Sequence, residues 1–469
     1  MEVGPNSHRS TGILPRVWQT FSTEIRESVL FGRLSAPRLI VYGFVALVAG
    51  GTALLMLPWS TKHGISLSDA FFVSVSCATV TGLSTVSIPG TFTHFGEVVM
   101  MTLIELGGLG IMTVTTLAVL LVGQRVGFRR LLTVQEETES AGSPRNTLGL
   151  LFQIARITFA VELVGAVVLS LGFIGVGFGV GEGIFQGVFH AIMAFCNAGF
   201  PTIAGDDLVS YAGNWPIVGA LVCMITLGGL GFPVLVDLYR YGEDHRLSVH
   251  SRVVLITSAI LVAVGVLSVA LLEWTNPNTL GGETLNTRVA MSVLQGITPR
   301  TAGFTTVSYP EMHDTTLLIQ TVLMFIGTAP TSTGGGIKVT TLALVALIVV
   351  AQIRGQDRIT LFWRTLPRPL IARALSVLAL ASLLVLLSTL TLMISDGLRL
   401  LPALFEVTSA FGTVGLTLDV TPSLSTFGKI LISVIMFLGR VGPITFIVAL
   451  AARQRTPRYR YPEEDIAIG

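Results

Sequence analysis

The sequence predicts an all-α integral membrane protein of eight transmembrane helices plus four re-entrant pore loops, built as four pseudo-symmetric helix, loop, helix repeats. Three observations predict it. Only 12% of the 469 residues are charged and the mean hydropathy is +0.76, whereas a water-soluble domain carries about a quarter charged residues. Eight apolar runs reach the roughly 20 residues that a helix needs to cross a bilayer. Between alternate pairs of those runs lie four shorter apolar stretches, each followed by a glycine.

The spanning runs lie near 38–58, 97–122, 150–178, 215–236, 253–274, 317–353 (interrupted), 370–394 and 427–452. An even number returns the chain to its starting side. Lys and Arg choose that side: the arm through Arg38 holds five, Arg125 to Arg156 five, Arg240 to Arg252 three, Arg354 to Arg373 five and the tail four. The opposite side holds only Lys62, Arg288, Arg300 and Arg399. By the positive-inside rule both termini are expected in the cytoplasm. The first 37 residues contain no signal-peptide core.

The four short stretches, near 68–78, 184–195, 286–297 and 401–411, are too short to span and are expected to dip into the membrane and return. Irregular backbone at that depth is tolerated only where protein or a watery path surrounds it. After them come Val80-Thr81-Gly82-Leu83, Asn197-Ala198-Gly199-Phe200, Thr301-Ala302-Gly303-Phe304 and Thr413-Val414-Gly415-Leu416. Their glycines are 104 to 117 residues apart, which makes the chain four concatenated units. The expected division is an arm (1–37), repeats at 38–122, 123–236, 237–353 and 354–452, and a tail (453–469). A second echo follows at Gly107, Gly228, Gly327 and Gly439, two of which open GGLG strings; small residues there are expected to serve close helix packing.

Such loops suit a cation. A dehydrated cation needs oxygens in place of its water, and a ring of backbone carbonyls supplies them without burying a fixed charge. Half-helices ending at the loops would turn their partly negative C-terminal ends to the same cavity. The sixth run is broken by Gly327-Thr328-Ala329-Pro330-Thr331-Ser332-Thr333-Gly334-Gly335-Gly336, too rich in Gly and Pro for continuous helix. Arg440 lies within the last run, where a central Arg costs about 2.5 to 3.5 kcal/mol to insert, so it should face the pore or a carboxylate such as Glu105 or Glu162. Glu105, Glu162 and Glu406 could line the pore or be buried and hydrogen-bonded. Arg300 is expected to brace the third loop from behind, with Glu283 or Glu311 as partner.

Other classes are disfavoured. Cys77, Cys196 and Cys223 imply no disulfide framework. The scattered arginines form no nucleic-acid patch, so no nucleic-acid partner is expected. No nucleophile elbow, His/Cys metal cluster or nucleotide fingerprint suggests an enzyme or an organic cofactor; Lys338 precedes Val339 where a phosphate-binding loop needs Ser or Thr. A secondary transporter would show a two-fold repeat, and a non-conducting scaffold would show no transport.

At TVTGL (79–83), CNAGF (196–200), TPRTAGF (298–304), STGGGIK (332–338) and GRVGP (439–443) the chain resembles the Trk, Ktr and HKT superfamily of potassium and sodium transporters. Within it, the chain is most similar to the membrane subunit of bacterial Ktr systems. Trk subunits carry two extra N-terminal helices that the short arm cannot supply. The resemblance implies a selectivity filter of Thr79, Val80, Thr81, Gly82, Cys196, Asn197, Ala198, Gly199, Arg300, Thr301, Ala302, Gly303, Gly412, Thr413, Val414 and Gly415. It puts potassium on the carbonyls of Val80, Thr81, Asn197, Ala198, Thr301, Ala302, Thr413 and Val414. It also implies an intramembrane gate of Gly334, Gly335, Gly336 and Lys338, with Arg440 as an electrostatic barrier; relatives carry more Gly where this chain has Thr328 and Thr331. Glycine at position 82 implies potassium preference, whereas Ser in some plant relatives favours sodium. A sodium-permeable or sodium-coupled symporter is the alternative. A homodimer in a bacterial cell membrane and a cytosolic nucleotide-binding regulatory ring (RCK subunits) are the implied assembly.

Overall fold

Four helical units wrap around a common centre in the structure, a computed structural model that describes residues 36–122, 144–203, 208–356, 359–362 and 364–442. The arm, the tail, most of the link before the second repeat and the end of the last run lie outside the described residues. The first unit is α1 (Ala36–Leu55), α2 (Leu67–Ala78) and α3 (His94–Val122). The second is α4 (Pro144–Gly175), α5 (Val180–Cys196) and α6 (Trp215–Leu230), followed by α7 (Phe232–Asp244). The third is α8 (Val249–Leu272), α9 (Leu285–Ile297), α10 (Asp314–Phe325) and α11 (Val339–Ile353); the fourth is α12 (Arg368–Asp396), α13 (Leu400–Gly412) and α14 (Thr426–Val441). A short hairpin pairs Thr360–Leu361 with Arg364–Thr365 before α12.

Helices lie, among the described residues, on each apolar run, the last followed only as far as Val441, and on the four short stretches. Among the described residues, Phe152–Gly175, Val249–Leu272 and Leu370–Asp396 are each long and apolar enough to cross a membrane. The run at 215–236 differs from its expectation as one helix. It breaks at Gly231, and α6 and α7 meet at 103°, because Gly231 takes a φ of +82° and Pro233 follows at the start of α7. The long helices present their apolar side chains outward. Leu163, Leu171, Ile260, Leu271, Leu383 and Ile394 are all exposed, which suits a lipid solvent.

The half-helices α2, α5, α9 and α13 form the buried interior. Phe72, Phe189 and Phe405 each stand ten residues before their loop glycine and are fully buried, with Val293 in the equivalent place of the third unit. Side chains set where these helices begin: Ser66 caps α2 by accepting from Asp69 N, and Thr284 caps α9 by accepting from Thr287 N. The echoing glycines pack where side chains cannot. A methyl group on Gly107, Gly228 or Gly439 would collide with the carbonyl of Ala78, Phe195 or Phe411, each four residues before its loop glycine. In the third unit Gly327 meets Gly335 of the interrupting segment instead.

Candidate functional site

Three of the half-helices end in the same way. Val80, Asn197 and Thr413 adopt left-handed backbone, with φ of 58°, 60° and 50°. Their amides return to Cys77, Ala194 and Ala410, while the next amides, of Thr81, Ala198 and Val414, return to Ser76, Met193 and Ser409. This double hydrogen bond closes a helix end around one left-handed residue, a place that usually belongs to glycine. The third loop varies the scheme: Ala302 N returns to Thr298 O, and Thr301 is left-handed at 70°. Left-handed backbone costs a residue with a Cβ about 1–2 kcal/mol, yet Val80, Thr301 and Thr413 are β-branched and fully buried. Strain at corresponding places in all four loops is held by the surrounding packing.

The loop glycines then meet. Gly82, Gly303 and Gly415 have φ of 98°, 78° and 93°, a region open to glycine. A methyl group on Gly82 would lie 3.0 Å from Gly199 N. One on Gly199 would strike Gly303, one on Gly303 would strike the Val414 carbonyl, and one on Gly415 would strike the Thr81 carbonyl. The four loops therefore close a ring in chain order, with backbone against backbone. An extended strand of one hand alternates its carbonyls between two sides, and left-handed residues interrupt that alternation. Where the loops meet, the nearest groups are peptide ones, the carbonyls of Ala302, Val414 and Thr81 among them.

Arg300 is buried at 5% exposure, but its guanidinium leaves the ring. Nη2 donates to Gly327 O at 3.2 Å, so neither Glu283 nor Glu311 is its partner; Glu311 accepts from Asn278. Glu406 lies behind the fourth loop, accepting from Thr417 at 2.7 Å and from Thr421. Gly412 packs against the Met324 carbonyl at the end of α10.

The segment that interrupts the sixth run lies against this ring. Gly335 N donates to Thr413 Oγ1 at 2.9 Å, and the Asn197 amide is 3.2 Å from Thr333 Oγ1. Gly334 is so close to Thr301 and Thr328 that a methyl group there would strike both hydroxyls. The segment thus touches the second, third and fourth loops. Lys338 Nζ donates to Gly334 O at 2.6 Å and turns the segment back on itself. Arg440 donates to Thr333 O and to Gly107 O, the latter at 3.1 Å. Glu105 and Glu162, the carboxylate alternative to a pore-facing place, do not bind it; carbonyls of two other units do. Thr333 is the residue that sequence reasoning missed. Its hydroxyl donates within 3.1 Å of Phe195 O and Gly228 O, and only its place inside STGGGIK hinted at a role.

An ion pair joins the first and fourth units at the N-terminal end of α2. Lys429 on α14 lies 2.7 Å from Asp69 on α2, joining the fourth unit to the first. Burial alone would raise the Asp69 pKa, but hydrogen bonds from Lys429, Ser66 and Thr85, and the Lys429 charge, outweigh it and hold the carboxyl below its ordinary value.

The TrkH cation transport protein family matches residues 32–459 of the chain. The chain is 37% identical to Ktr system potassium uptake protein B of Bacillus subtilis, over 93% of this chain and 97% of that one. It is 35% identical to potassium/sodium uptake protein NtpJ of Enterococcus hirae, over 93% and 98%. The crystal structure of the potassium transporter TrkH from Vibrio parahaemolyticus has the same fold, with a TM-score of 0.66 and 20% identity over 94% of this chain and 97% of that one.

Proposed function

The chain belongs to the TrkH family of cation transport proteins, and from that premise we propose that it is the pore-forming membrane subunit of a Ktr-type potassium uptake system. The family is one of transporters, not enzymes. The observation that carries the reading is the ring in which each loop glycine meets the next loop's backbone. Potassium sheds its water there onto the carbonyls of Val80, Thr81, Asn197, Ala198, Thr301, Ala302, Thr413 and Val414. Residues 326–338 act as the gate on the far side of the ring. Arg440 supplies a positive charge beside that gate and holds it shut through Thr333.

The relatives' names speak of a Ktr system, which supports further subunits: a cytosolic nucleotide-binding ring docked on the basic cytoplasmic loops, and a second copy of this chain in a bacterial cell membrane. Both termini face the cytoplasm. The name of the Enterococcus relative, a potassium/sodium uptake protein, favours sodium as a second permeant ion. The test is uptake of each ion into liposomes holding the purified chain, each competing with the other, with and without Gly82→Ser. Potassium-preferring uptake that the substitution weakens is expected. Equal uptake of both ions, or an unchanged preference in the variant, would overturn the potassium filter.

A further inference from the structure

Behind the second loop, between the first two units, three side chains meet: Glu105 on α3, Glu162 on α4 and, at the end of α5, the thiol of Cys196, a residue whose place in the expected filter rests on its backbone. One ligand atom from each lies within 4.8 Å of the other two. Cys196 is fully buried, with Sγ 3.3 Å from Glu105 Oε2. Gly108 makes room for it, since a methyl group there would lie 3.1 Å from that sulfur. Glu162 is only 6% exposed and its Oε1 has no hydrogen-bond partner; Glu105 Oε1 has none either.

Two ionised carboxyl groups in so apolar a place repel one another, so the pair either keeps a proton between its oxygens or holds a cation there. Among the described residues no Lys, Arg or His forms an ion pair with either. Arg440 is engaged with the carbonyls of Thr333 and Gly107. We infer that Glu105, Glu162 and Cys196 form a binding site for a soft divalent transition-metal ion of the zinc class. The sulfur decides the class, because alkali and alkaline-earth ions take oxygen shells whereas thiolate selects zinc-like ions. On loading, the sulfur–metal bond replaces the S–H bond and the thiol proton leaves to solvent. Three protein donors leave a fourth position for water or a second carboxylate oxygen. The ion would pin Cys196, whose neighbour Asn197 faces Thr333, and so stiffen the second loop and the gate segment together.

Cadmium serves as the probe, because its thiolate bond gives an ultraviolet charge-transfer band. Titrated into the purified full chain in detergent, it is expected to give that band at one ion per chain. The band should vanish in Cys196→Ser, persist in Cys223→Ser and need at least about tenfold more cadmium in Glu162→Gln. Potassium flux into liposomes should fall with cadmium in the parent chain and in Cys223→Ser, and should need at least about tenfold more cadmium to fall in Glu162→Gln. Equal binding by parent and Cys196→Ser would overturn the site. Absence of the band in the parent would too, including the case in which flux follows pH while cadmium does nothing, which would mean that the carboxyls share a proton. Should Cys196→Ser not fold, Glu162→Gln carries the comparison. The band is read without transport, so the metal site and the potassium pore can fail separately.

Discussion

At the scale of single residues, the ring leaves no room for a side chain at Gly199. Alanine there would put its methyl group into Gly303 of the next loop, and such overpacking costs about 1–3 kcal/mol. Gly199→Ala is expected to abolish uptake while leaving a folded chain, as read by liposome flux beside size-exclusion behaviour. Thr413 presents a different balance. Its hydroxyl ties Gly335 N to the fourth loop at 2.9 Å, a bond worth about 1 kcal/mol. Thr413→Val, which keeps the shape and removes the acceptor, is expected to loosen the gate segment and raise potassium flux several-fold; a flux at or below that of the parent would count against the tether. The resemblance and the repeat marked these two residues beforehand. Neither could mark Asp69 and Lys429 as a pair, because 360 residues separate them.

At the scale of elements, the half-helices are held by what their neighbours lack. Gly107, Gly228 and Gly439 admit the last-turn carbonyls of α2, α5 and α13, so a side chain at any of them would push a loop out of the ring. Gly228→Leu is expected to lower the melting temperature and the flux together. The pair between α2 and α14 acts at the other end of the half-helix. Asp69 has a folded pKa below its unfolded value of about 3.9, so its contribution is complete above the unfolded value and disappears as pH falls through the folded one. Partly exposed pairs contribute about 1 kcal/mol or less. Asp69→Asn should therefore cost up to about that much near neutral pH and nothing once acid has protonated the parent carboxyl, a difference that melting curves of parent and variant across pH would reveal. The GGLG strings announced close packing, but the elements they would touch were legible only as repeats. The break at Gly231 went unforeseen because apolar composition continues through it, and hydropathy does not register one glycine's change of backbone hand.

At the scale of the whole molecule, four units in one chain need not be equivalent, and the third is not. Its closing helix is interrupted, its echoing glycine meets the interrupting segment, and Arg300 links its loop to Gly327. The second unit's closing run also bends, at Gly231, but only in the third does the break let residues 326–338 lie against the loops of three units. The expected orientation rests on the basic loops. A membrane-impermeant thiol reagent applied outside intact cells should leave a cysteine introduced at 245–248, between α7 and α8, unlabelled and should label one introduced at Lys62; the reverse pattern would invert the topology.

Much of this was decided by the sequence by itself: a lipid solvent, from too few charges to face water; four units, from glycines recurring at nearly constant spacing; and the loops that matter, from stretches too short to cross. Periodicity and composition are local properties, and they survive in a one-dimensional reading. Tertiary structure alone decided which groups meet. It joined Arg440 to the carbonyls of Thr333 and Gly107 instead of to a carboxylate, sent Arg300 to Gly327, paired Asp69 with Lys429, and gathered Glu105, Glu162 and Cys196. Each of these partners comes from a distant part of the chain, and a backbone carbonyl, the acceptor that both buried arginines use, is present at every residue and so leaves no mark in a sequence.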